Sequence, residues 1–181
     1  MGLDASTKTR TATHSMHKTL IALLFAFFAL SAPAFAQNAA QIEAVRDGAK
    51  ACEGCNLFQA EFGLLDLSDR DLSGARLRQA NLEVSTLDRT NLASANLSVA
   101  NLYGARMTNA NLKNANLRDA TLVGVWFGGA DLTGADLTGA VISGSYLTTA
   151  KGLTKDQLAG AYCDEYTEFP KGLDASMCLN N

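Results

Sequence analysis

"NLASANLSVANLYGARMTNANLKNANLRDA", residues 91–120, falls into frames of five, each with Leu (once Met) in second place and Ala in fifth. Neither regular structure accommodates that period. In an α-helix five residues advance about 500°, so the leucines would wander over every face. In a flat strand an odd spacing would throw them alternately up and down. A chain that turns a corner every five residues keeps them all inside. The Ala that closes one frame and the Leu of the next are two residues apart, so both point inward along one short extended side. The other three positions point out and carry Asn, Asp, Ser, Thr and Gly, residues suited to turning.

Outward from this stretch the frame holds without interruption from Leu57 to Leu147, nineteen units in which every second position is Leu, Phe, Met or Ile. "ADLTGADLTGA", residues 130–140, states the unit twice in succession. Four corners close a square, so one coil takes twenty residues and nineteen units make about 4.75 coils; stacked in parallel at roughly 4.8 Å each, they form a rod ~23 Å long. Stacking sets Asn81 under Asn101, Asn91 under Asn111 and Asn96 under Asn116, pairs suited to amide ladders. Leu65 and Arg70 occupy the small inward position near the start and are expected to distort their coil, and Val125 to bulge.

The tandem "A-[N/D]-L-x-x" pattern over residues 52–150 resembles the pentapeptide-repeat family. The resemblance implies an all-β solenoid, a right-handed quadrilateral β-helix, commonly without catalytic activity. "ACEGCNLFQA", residues 51–60, is similar to the Cys-x-x-Cys that precedes the first repeats in some members. "KGLTKDQLAGAYCDEYTEFPKGL", residues 151–173, is similar to the short helical tail that follows the last coil in many. Solenoid ends expose unpaired edges that need cover. Residues 38–50, with Asn38 as N-cap and Ile42 and Val45 on one side, read as a short helix over the first coil. Residues 154–161, with Thr154 and Gln157 in a capping-box pattern before Leu158, should cap the other end. The domains are therefore 37–51 (N-terminal cap), 52–150 (repeats) and 151–181 (C-terminal cap and tail). Capped ends favour a monomer; the family resemblance also admits a homodimer through the C-terminal coil.

"HKTLIALLFAFFALSAPAFAQN", residues 17–38, has a basic start, an apolar run from Leu20 to Leu30 and a small-residue exit at Ala34-Phe35-Ala36. This reads as a secretory signal, residues 1–36, cleaved between Ala36 and Gln37. The run falls short of the ~20 residues a spanning helix needs. Met16 stands directly before the basic start and is a second candidate initiator, which would leave residues 1–15 untranslated. The expected location is the periplasm or the exterior, with no membrane attachment after cleavage.

Removing the signal leaves 12 Lys+Arg against 17 Asp+Glu, a net charge of −5, and takes away both histidines, His14 and His17. A mildly acidic chain argues against nucleic-acid binding. Without imidazole there is no histidine base and no histidine-containing zinc site. No catalytic, cofactor-binding or metal-binding residues are expected. Asp131 and Asp136 sit at the same repeat position on adjacent sides, beside Thr-Gly turns, and read as corner residues rather than as an acid–base pair.

In an exported chain the four cysteines are candidates for disulfides. Cys52 and Cys55 precede the first full coil, whereas Cys163 and Cys178 follow the last. A disulfide needs Cα atoms within about 7 Å, so within one chain only Cys52–Cys55 and Cys163–Cys178 remain. The same separation excludes a four-cysteine zinc site unless two chains meet end to end.

One outward column is distinctive. Arg106, Trp126 and Tyr146 share a face, and Tyr103 and Val123 stack on the next, with Val141 nearby. Aromatic residues beside an arginine have the composition of a partner hot spot. Either the C-terminal tail folds back over this group or it is a surface for a protein partner. Arg76, Arg78 and Arg118, on another face, read as a solvated surface.

These features point to an exported, non-enzymatic scaffold that presents rigid faces to an unidentified protein. A cytoplasmic DNA mimic acting on DNA gyrase is an alternative from the same family. The mild charge, the signal segment and seven basic residues among the repeats (Arg70, Arg76, Arg78, Arg89, Arg106, Lys113, Arg118) count against it. A thiol-redox or metal-binding role for Cys52 and Cys55 is a third reading, and would require a free, low-pKa thiolate.

Overall fold

The computed structural model describes residues 38–179, all within the compact unit Gln37–Asn181. The expected signal segment, its expected cleavage between Ala36 and Gln37, and the alternative starts Met1 and Met16 lie outside the described residues.

Unit 96–100 explains the five-residue period through its backbone donors. Asn96 N–H donates down to the Ala75 carbonyl (2.9 Å), while Leu97 and Val99 donate up to Asn116 (2.8 Å) and Arg118 (2.9 Å). Ala100 N–H closes the turn on its own Leu97 carbonyl (3.0 Å). The remaining donor, Ser98 N–H, goes to the Asn96 side chain, Oδ1, at 3.0 Å. Every amide in the unit is thereby satisfied, as burial against neighbouring coils requires. The first position needs a short side chain with an acceptor two residues before an otherwise orphaned N–H, which is the property of Asn and Asp. The same bond recurs at Asn91, Asn116, Asp131 and Asp136.

Parallel bridges at twenty-residue spacing run from Ala51↔Asp71 to Asp131↔Lys151, one per five-residue side. The architecture is a right-handed β-helix solenoid. All nineteen second-position side chains from Leu57 to Leu147 are buried, none more than 3% exposed. Where the small inward residue is a hydroxyl it donates to a core-side carbonyl: Ser85 to Leu82 (2.7 Å), Thr90 to Leu67 (2.9 Å) and Ser145 to Leu122 (2.6 Å). Such residues replace Ala without leaving a buried polar atom unmatched.

Neither expected distortion is present. Bridges Asp66↔Thr86 and Asp71↔Asn91 continue past Leu65 and Arg70, and the Leu65 and Arg70 carbonyls still accept from Thr86 (2.9 Å) and Asn91 (2.8 Å). Leu65 is half-buried against the core. Arg70 is 9% exposed and serves the helix beneath it, donating to the Val45 carbonyl and, at 3.0 Å, to the Asp66 carbonyl. Val125 is fully buried without a bulge, because Ala105 and Ser145, its small neighbours along the stack, leave room for its methyls.

Helix α1, Ala39–Arg46, starts from Asn38, whose side chain accepts from Gln41 N–H, and buries Ile42 and Val45. Gln41 Oε1 in turn accepts from Asn56 N–H at 2.8 Å. Helix α2, Lys155–Leu158, carries the Thr154–Gln157 capping box and buries Leu158. Gln157 Nε2 also donates to the Leu132 and Ala135 carbonyls at 2.9 and 2.8 Å, fastening α2 to the coil below. Beyond it the tail continues the stack with bridges Val141↔Tyr162, Tyr146↔Glu168 and Tyr162↔Leu179.

The amide ladders form in part. Asn111 Nδ2 donates to Asn91 Oδ1 (2.9 Å) and Asn91 Nδ2 to Asp71 Oδ1 (3.0 Å). Asn81 and Asn101 turn instead to carboxylates, Glu61 and Glu83, while Asn96 and Asn116 are joined through their backbones.

Candidate partner surface

Bridges Arg106↔Trp126, Trp126↔Tyr146 and Tyr146↔Glu168 place four side chains in one column on one side of the solenoid. The Trp126 and Tyr146 rings are 5.0 Å apart between centroids and tilted by 38°, a favourable aromatic arrangement. They remain 47% and 39% exposed, and Tyr103 on the adjoining side 51%. Val123 and Val141 are half-buried and contribute less apolar surface. The tail does not fold back over this group: its Glu168 pairs beyond Tyr146 and leaves the rings open.

Gly128 seats the tryptophan. A Cβ there would lie 2.6 Å from the indole Nε1, so a larger residue would push the ring off the backbone. Arg106 is not a free cation: its guanidinium pairs with Asp88 at 2.8 Å, and the other Asp88 oxygen accepts from Thr108 N–H at 3.0 Å. Sequence reasoning missed Asp88, Gly128 and Glu168. Gly128 was within reach, lying two residues after the tryptophan; the other two depend on coil register.

Asp131 and Asp136 are structural anions. Asp131 accepts from the Thr133 hydroxyl (2.6 Å) and N–H (3.1 Å), and Asp136 from the Thr138 hydroxyl (2.6 Å) and N–H (3.0 Å). These threonine hydroxyls, with Lys113 and Arg118 adding to them, hold both carboxyls below the ordinary range. A carboxylate so held is ionised at neutral pH. Arg118 pairs with Asp136 at 3.3 Å, whereas Arg76 and Arg78 are exposed.

Cys52 is bonded to Cys55 and Cys163 to Cys178, with Cα atoms 5.4 and 5.9 Å apart. The first pair is buried, 9% and 8% exposed. An open cleft of about 360 Å³, lined by Arg46, Glu61, Gly63, Leu64, Asn81 and Glu83, lies apart from the aromatic column.

A family model described as "Pentapeptide repeats (8 copies)" matches residues 66–102, 75–114 and 115–151. The chain belongs to the pentapeptide-repeat family. Among solved structures, this pentapeptide-repeat protein is similar to HetL, involved in heterocyst differentiation regulation in the cyanobacterium Nostoc sp. strain PCC 7120. The identity is 30%, over 55% of this chain and 48% of HetL, with a TM-score of 0.38. It thus spans about half the length of HetL. It is also similar to alr5209, a pentapeptide-repeat protein of Nostoc PCC 7120, at 28% identity over 80% of this chain and 96% of that one, TM-score 0.42. QnrB1, a plasmid-mediated fluoroquinolone resistance protein, is 18% identical over 72% of this chain and 84% of its own, TM-score 0.33. No curated protein sequence matches the chain.

Proposed function

We propose that this pentapeptide-repeat protein is an exported, non-enzymatic scaffold whose rigid faces bind another protein outside the cytoplasm. In this reading it is a discrete rod of about 4.75 coils, closed by a short helix at each end and stapled by its two disulfides. The observation that carries it is the open Trp126–Tyr146 pair, mounted on a backbone whose amides are bonded coil to coil. Exposed aromatics held by a rigid support lose little entropy on binding, which is why they dominate interface energetics. A nucleic-acid mimic is less well supported, because outer carboxylates Asp69, Asp88, Asp131 and Asp136 are each paired with a basic side chain of the rod itself.

The test is photocrosslinking in living cells from a photoreactive residue at position 148, beside the column. A discrete crosslinked protein in the extracytoplasmic fraction, lost when Trp126→Ala is added, is the expected result. Crosslinking that persists unchanged in Trp126→Ala removes this surface from the account.

A further inference from the structure

Three features of the aromatic column bear on what docks there. The first is the adjacent, partly exposed ring pair of Trp126 and Tyr146, since aromatic π-systems attract cations. The second is charge. At the lower end Arg106 and Asp88 neutralise each other. At the upper end Glu168 is exposed and makes no ion pair among the described residues; its Oε2 accepts only from the Thr148 hydroxyl, at 3.3 Å. The column therefore carries one uncompensated negative charge, placed directly beyond the rings. The third is free donors: neither the Trp126 indole N–H nor the Tyr146 hydroxyl has a hydrogen-bond partner among the described residues.

We infer that the Trp126–Tyr146 pair with Glu168 at its head receives an arginine side chain from an extended segment of a partner protein. This rests on the column being a partner surface and adds the chemistry of the occupant. Successive column residues lie roughly 4.8 Å apart, so a guanidinium stacked over the rings has the Glu168 carboxylate one coil further on. A planar guanidinium meets both requirements: it stacks on aromatic faces and forks onto a carboxylate. The compact, strongly hydrated lysine ammonium does this less well. The indole N–H and the tyrosine hydroxyl are then available to backbone carbonyls of the segment.

Trp126 is the sole tryptophan of the chain, so its emission reports the site directly. The protein is titrated with acetyl-Gly-Arg-Gly-Arg-Gly-amide and with the same peptide carrying uncharged citrulline in place of arginine. A saturable emission change is expected with the arginine peptide, weakened about tenfold by citrulline and by Glu168→Gln and reduced by added salt. Glu53→Gln, at the far end of the rod, should leave it unchanged. Equal binding of the citrulline peptide, indifference to Glu168→Gln, or no emission change would each overturn the inference. Its failure is separable from that of the function proposed above. If crosslinking at position 148 still depends on Trp126 while the peptides fail, the surface stands and the cationic occupant falls. If crosslinking ignores Trp126, the surface itself falls.

Discussion

The guanidinium of Arg70 reaches across the floor of the solenoid to the backbone carbonyl of Val45, in the last turn of α1. A cation at a helix C-terminus meets orphan carbonyls and the negative end of the helix dipole. Arg70 thus joins the N-terminal helix to the first coil from a position that elsewhere holds Ala, at the cost of a buried Nε without a partner. Arg70→Ala restores the repeat pattern yet should lower stability by about 1–3 kcal/mol and speed tryptic cleavage after Arg46. An unchanged melting temperature and cleavage rate would show that the bond does not hold the helix.

From Gln59 to Gly144 the fourth position of every unit is left-handed, and Val99 occupies it at φ 59°, an unfavourable place for a β-branched residue. Asn109 and Asn114 adopt the same conformation elsewhere in the rod. Val99→Asn should stabilise by about 0.5–1 kcal/mol. Gly152, at φ 71°, works in the opposite sense: a Cβ there would come within 2.7 Å of Thr133 Cα. Gly152→Ala should therefore destabilise by about 1–3 kcal/mol. Thermal denaturation of the two variants checks both signs.

How far the fold was legible follows from where its period survives. The inward rows could be read because each Leu needs the same corner, and nineteen repetitions leave one geometry. The Asn and Asp preference is legible as turn chemistry, but its reason lies in the one amide per unit that has no backbone acceptor. The course of the tail was not legible because its bridges span 21, 22 and 17 residues instead of twenty. No fixed spacing announced that Glu168 would stand beyond Tyr146. The ion pair of Arg106 was hidden for a similar reason: its partner Asp88 lies 18 residues back, off the twenty-residue register.

Acid should loosen the rod. The Arg89 side chain holds the Asp69 carboxyl below its ordinary range, as the Thr133 and Thr138 hydroxyls hold Asp131 and Asp136. A depressed folded-state pKa gives stability that is present above the unfolded value of about 3.9 and lost as pH falls through the folded value. The melting temperature should hold from neutral pH to about 5 and fall below about pH 4. The double variant Asp131→Asn/Asp136→Asn should flatten that fall, since Asn fills the same turn position at Asn96 and Asn116. An unaltered acid profile in the double variant would assign the loss to other groups.

The intact mass of the protein, taken without reductant from the compartment where it accumulates, should correspond to a chain starting at Gln37 and lighter by four hydrogens. Replacing Cys163 and Cys178 with Ser opens a loop of 15 residues and should cost about 2–3 kcal/mol, with the Trp126 emission unchanged. A full-length cytoplasmic chain with four free thiols would contradict both export and the staples.

The most direct test of the central claim is quantitative capture from the extracytoplasmic fraction by the wild type, Trp126→Ala and, on a different side of the rod, Arg78→Ala. Each variant is first confirmed by circular dichroism to keep the wild-type fold. The account predicts one specific protein retained by the wild type and Arg78→Ala and lost from Trp126→Ala. Equal retention by all three would contradict the assignment of the Trp126–Tyr146 column as the working surface.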